Sequence, residues 1–123
     1  MKYVILIYNN PAAREVWLAL PAAQRAEGLA VYAALREDLA ASGELIVSEA
    51  LADHSLTRQV AVREGMTMIT DGPFAEVKEL LAGFFLIERA SMERATEYAA
   101  RVPEAAFGRV EVRPVMDLSG FEM

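Results

Sequence analysis

Between residues 71 and 79 the chain sets Asp71, Phe74, Glu76, Lys78 and Glu79 close together, with Gly72 and Pro73 between the first two. An acid and a cation on one short segment are the ingredients of a pocket that moves a proton and grips an anionic group. Asp71 is the candidate to move the proton, because a carboxylate drawn partly out of water becomes a better base. Lys78 or Arg58 would hold the anionic group, and Glu76 and Glu79 would line the same wall. Phe74 can close such a pocket over a flat ligand, and Tyr8, at the exit of the first apolar run, can donate a hydrogen bond into it. Each residue also has a plain structural reading. Asp71 can shape a turn by accepting from the next backbone N–H groups, Phe74 can plug the core, and Glu76 to Glu79 can be a solvated connector. Arg58 can pair across strands with glutamates such as Glu111 or Glu64.

The composition narrows the chemistry. The chain has no cysteine, which excludes disulfides, thiolate nucleophiles and cysteine-ligated zinc. His54, the sole histidine, has only Asp53 beside it, so a metal site is not expected and a surface-loop histidine stands against a general base. No Gly-rich phosphate loop, nucleophile elbow or paired-histidine motif is present, so no cofactor is expected. Twelve basic against eighteen acidic residues give a net charge of −6, and the arginines are scattered, which argues against nucleic acid as a partner. Residues 1–8 lack the pattern of a signal peptide, and no run of about 18 apolar residues occurs. A cytoplasmic location with no membrane association is the expectation.

These residues need a scaffold, and the hydrophobic patterning supplies one. Residues 2–8 are apolar, β-branched or aromatic at nearly every position, the mark of a strand buried on both faces. Asn9-Asn10-Pro11 breaks it, and residues 12–20 predict a short helical segment carrying Trp17. Over 22–42, Leu29, Tyr32, Leu35 and Leu39 recur at helical spacing and Gly43 ends the helix. A strand at 44–51 leads to the loop with His54. Residues 57–63 and 66–70 then predict a hairpin turning at Glu64-Gly65, closed by Asp71-Gly72-Pro73, where glycine tolerates positive φ and proline stops the ladder. Residues 82–89 form the next strand. Ser91 caps a helix with Met92, Ala95, Ala99 and Val102 inward and a Glu97–Arg101 pair outward, and residues 109–115 alternate like an edge strand.

The order β, α, β, hairpin, β, α, β predicts an α+β fold: a ferredoxin-like split βαβ sheet with an inserted β-hairpin, as one domain over residues 1–123. Two helices cover only one face of such a sheet, yet the first strand and Phe84 to Ile87 are apolar on both. A second copy packed sheet to sheet covers the other face, giving a homodimer shaped as a dimeric α+β barrel.

Asp71-Gly72-Pro73-Phe74, followed by Ala75-Glu76 and Lys78-Glu79, resembles the signature of the DGPF-motif branch of the YCII-related family. The opening strand, Ala41-Ser42-Gly43-Glu44-Leu45, Gly83 to Glu88 and the ending Glu111 to Met116 are similar as well. The resemblance implies a dimeric α+β barrel in a family largely without assigned activity. Related YCII proteins are suspected of chemistry through a histidine and aspartate pair, but His54 lies before the hairpin and does not match that pair's place. Two functions remain open: a homodimer with a small-molecule pocket near Asp71 to Glu79 capable of cofactor-free acid and base chemistry, or a non-enzymatic regulator associated with an extracytoplasmic-function sigma factor.

Overall fold

The computed structural model of the protein describes residues 1–74 and 77–119. The first apolar run forms strand β1 (Lys2–Asn9). Asn10-Pro11 ends it and starts a helix in the same step. The Asn10 side chain accepts the Ala13 backbone N–H at 2.8 Å, and Pro11 occupies the first turn, where its missing donor costs nothing, giving α1 (Pro11–Ala19). The Trp17 ring lies where a Cβ on Gly28 would be 3.1 Å away, so the small residue admits the indole against the next helix. That helix, α2 (Ala22–Ser42), ends at Gly43 in the left-handed conformation, φ 80°.

Strand β2 (Leu45–Ala50) runs into a 3₁₀ turn at His54–Leu56, where the Asp53 side chain accepts the Ser55 N–H. The hairpin follows as β3 (Arg58–Arg63) and β4 (Met66–Asp71). Glu64 and Gly65 both carry positive φ, 52° and 76°, as a two-residue turn matched to strand twist requires. Strand β5 (Leu80–Glu88) starts two residues before the sequence pattern suggests. It is followed by α3 (Met92–Ala100), whose Ser91 cap accepts the Arg94 N–H, by the short α4 (Glu104–Phe107) and by β6 (Arg109–Pro114).

Four strands form one antiparallel sheet in the order β2-β5-β1-β6, and the β3-β4 hairpin is a separate two-stranded sheet. This is the strand order of a ferredoxin-like α+β fold carrying an inserted hairpin. Strand alternation sends Tyr3, Ile5, Ile7, Phe85 and Ile87 to one face, where they meet Leu35 and Leu39 of α2 and Ala95, Tyr98 and Ala99 of α3. Val4, Leu6, Phe84 and Leu86 point to the opposite face and are only half-buried.

Three side-chain expectations are corrected. Leu29 is exposed, because α2 touches the sheet only through its second half. On α3 it is Tyr98 that enters the core, while Met92 stays partly in water. Arg101 does not pair with Glu97; it crosses to Asp38 of α2 at 2.7 Å, and Glu97 lies 3.7 Å from Arg94. A tertiary partner reached across two helices displaces the local one.

Candidate functional site

Asp71 ends β4 directly opposite Arg58, which begins β3, and its carboxylate accepts from the Arg58 Nε at 2.8 Å. The Asp71 side chain is 70% exposed, so in the single chain the pair is open to water. Among the described residues the Asp71 carboxylate accepts no backbone N–H of the turn. The Gly72 N–H donates instead to the Thr57 carbonyl at 2.7 Å. Nor does Gly72 use positive φ, as the turn chemistry suggests; a Cβ there would sit 3.0 Å from the Thr57 oxygen and 3.2 Å from the Phe74 ring. Glycine is needed for close approach, and that approach seats Phe74.

Phe74 lies outside the hydrophobic core and forms one wall of a cavity of about 230 Å³ at the end of the sheet where β1 leaves and β5 enters. Pro73, Val77 and Leu80 continue the apolar lining, together with Pro11. The polar members are Arg14 and the His54–Ser55 turn. The His54 ring meets the Phe74 ring edge to face at a centroid distance of 5.8 Å. Its Nε2 is buried without a hydrogen-bond partner among the described residues. Arg14 is held by Asp53 through two bonds, Nε to Oδ1 at 2.5 Å and a terminal nitrogen to Oδ2 at 2.6 Å. Ser55 adds its N–H and hydroxyl to the same carboxylate. The Arg14 guanidinium, then Ser55, hold the Asp53 carboxyl far below the ordinary carboxylate range.

Of the segment from Asp71 to Glu79, Pro73, Phe74 and Val77 line this concavity. Residues 1–119 match the family model of the YCII-related domain. The chain belongs to the YCII-related family. An uncharacterized protein of Rhizobium meliloti (strain 1021) is 31% identical to it over 117 residues, covering 94% of this chain and 92% of that protein. The YCII-related fold here gathers its cavity from the first turn of α1, the turn after β2, and the connector leading into the start of β5, which are distant in sequence.

The remaining expected site residues of this YCII-related protein fall elsewhere. Tyr8 and Glu79 meet at Arg109 on β6, whose guanidinium lies over the Tyr8 ring at 4.9 Å and bonds Glu79 at 2.5 Å. Arg109 also lies 3.5 Å from Glu111. Lys78 is exposed, and Glu76 lies outside the described residues. The hairpin carries a second, open concavity of about 380 Å³ lined by Gln59, Arg63, Met68 and Thr70.

Two buried acids are not evident from sequence, since Tyr32 lies 72 residues from Glu104 and Tyr98 lies 54 residues from Glu44. Glu104 of α4 accepts the Tyr32 hydroxyl from α2. Burial raises the Glu104 carboxyl despite the Tyr32 bond, and burial followed by the Glu104 bond raises the Tyr32 phenol. Glu44 accepts the Tyr98 hydroxyl at 2.7 Å and lies 3.4 Å from Arg94, which also stacks over the Tyr98 ring at 4.6 Å. Burial pushes the Glu44 carboxyl up, but bonds from Tyr98, Ser42 and Arg94 outweigh it and lower it. Both clusters join helix to sheet or helix to helix and lie away from the cavity. Among the described residues no group of three or more acidic or histidine side chains is placed to hold a metal ion, and no helix is long and apolar enough to cross a membrane.

Proposed function

We propose that this YCII-related protein is a homodimer that binds a small molecule in the cavity beside residues 71–79. The observation that carries the reading is the cavity itself, whose apolar walls from Pro73, Phe74, Val77 and Leu80 stand beside Arg14 and the His54–Ser55 turn. A concave, mostly apolar site with a few polar atoms is the common form of a small-molecule pocket. The half-buried row of Val4, Leu6, Phe84 and Leu86 supports the dimer, because an apolar sheet face is stabilised by a second copy.

On this reading the polar residues beside the ligand are Arg14, His54 and Ser55, and Asp71 serves as the ionic partner of Arg58 at the base of the hairpin. Proton transfer by Asp71, with Arg58 or Lys78 holding an anionic group, requires the second copy to exclude water from that pair. Binding comes first, and it is testable without knowing a reaction. A fragment set of small neutral and acidic ring compounds is titrated into protein with labelled Val and Leu methyls. Saturable shifts of Val77 and Leu80 are expected, weakened in Phe74→Ala by roughly tenfold or more, the cost of removing a wall of aromatic contact. If no fragment moves either methyl, the pocket reading fails.

A further inference from the structure

We propose that α1 is a hinged cover on the cavity and that the Arg14–Asp53 pair is the latch that holds it in place. What the cover admits rests on the pocket reading above; the latch itself does not. Three observations lead there.

The first is how little else holds the helix. None of the nine residues of α1 is buried, and Val16 and Leu18 are 64% and 52% exposed. An isolated helix shorter than about 12–15 residues is marginal in water, so α1 depends on its ties to the rest of the chain. Its apolar tie is the Trp17 ring, seated against Gly28 of α2. Among the described residues of α1, the side-chain hydrogen bonds to another element are those of Arg14 to Asp53. Extended backbone at Asn10 and at Leu20 separates the helix from β1 and from α2, which lets it move as a unit.

The second is its place. Pro11 and Arg14 are three residues apart, hence on one face of the helix, and both line the cavity. When α1 swings away, both leave the cavity with it.

The third is how the latch is made. Exposed ion pairs usually contribute little, because two long side chains must be ordered to form them. Here the acceptor is ordered beforehand, since the Ser55 N–H and hydroxyl both donate to Asp53 Oδ2. Arg14 then bonds Oδ1 at 2.5 Å and Oδ2 at 2.6 Å. Among the described arginines it is the one that bonds both oxygens of a single carboxylate, the arrangement that fixes orientation as well as distance. Each side chain of the pair is 35% exposed, so water replaces these bonds when they part and the contact is reversible.

Trp17 is the sole tryptophan, so its emission reports α1 alone, and the amides of residues 15–19 report the helix by hydrogen exchange. In wild type those amides are expected to exchange faster than Ile5, Phe85 and Ile87, because opening α1 leaves the core folded. Asp53→Asn keeps an acceptor for the Ser55 N–H and loses the charge. It is expected to speed exchange at residues 15–19 by about fivefold or more, to raise quenching of Trp17 by acrylamide, and to leave the core amides unchanged. Arg14→Gln should match it, and the double variant should exceed neither, since all three remove one contact. Exchange at residues 15–19 equal to wild type in both single variants overturns the latch. Core amides that accelerate to the same degree overturn it as well, because the pair then stabilises the whole fold. If neither variant folds, wild type still decides, since α1 amides as slow as the core mean that the helix opens only on global unfolding. Fragments that fail to bind end the pocket reading and leave the latch standing.

Discussion

The Tyr32–Glu104 bond is the most consequential polar contact outside the cavity, because an ionisable group buried in α4 takes a side-chain donor from α2 beside its own backbone N–H. Tyr32→Phe removes that donor and leaves the carboxyl buried, so a loss of about 1–3 kcal/mol is expected in chemical denaturation near neutral pH. The sign of the pH dependence follows from the raised Glu104 value. A carboxyl held above its unfolded value contributes stability that is complete below the ordinary glutamate range and lost as pH rises through the folded value. Glu104→Gln should flatten that decline in denaturation midpoints taken from acid to neutral pH; an unchanged decline would place it in another group. Glu44 works in the opposite sense, since its lowered value gives stability that is lost as pH falls. At this scale the sequence is least legible. Asp71 is conspicuous because it stands in a motif, yet it is exposed and paired. His54 is inconspicuous because its place on the cavity wall depends on α1 and the connector before β5, which no local pattern records.

At the level of the elements, close approach between strands sets a tight constraint. Gly83 of β5 faces Ala50 of β2, and a Cβ there would lie 2.7 Å from the Glu49 carbonyl oxygen. That oxygen belongs to backbone in the neighbouring strand and moves only if β2 separates from β5. Gly83→Ala is expected to cost about 1–3 kcal/mol, as overpacking does, although alanine is otherwise the more favourable strand residue. A denaturation midpoint equal to wild type would show that β2 yields freely. Element positions were largely readable: α2 ends at Gly43, the hairpin turns at Glu64-Gly65 and Ser91 caps α3, each a local steric or hydrogen-bonding requirement written in a few letters. What escaped was the facing of individual side chains. Leu29 has the right spacing for the stripe of α2, but whether a helix position is covered depends on how far the sheet extends beneath it. Tyr98 was likewise hidden, since its hydroxyl is acceptable in the core only with Glu44 placed opposite.

For the molecule as a whole, the open sheet face is the feature that remains to be covered. Its centre is Val4, Leu6, Phe84 and Leu86, and its β6 edge carries Glu111 opposite Leu6 and Arg113 opposite Val4. An apolar centre bounded by charge is the pattern of a protein interface. The two-stranded hairpin points the same way, since Val60, Val62 and Ile69 are exposed on a unit that is marginal without packing. Light scattering on the eluting protein should therefore give twice the 13.5 kDa chain mass. Leu6→Glu places a second carboxylate opposite Glu111 at the centre of that face and should shift the mass to that of one chain. The core residues Ile5 and Ile7 point to the other face, so helical content should persist in the variant if the protomer folds alone. Wild type eluting as a monomer at micromolar concentration would sink the dimer while leaving the His54 cavity intact, because the described residues that line that cavity belong to one chain.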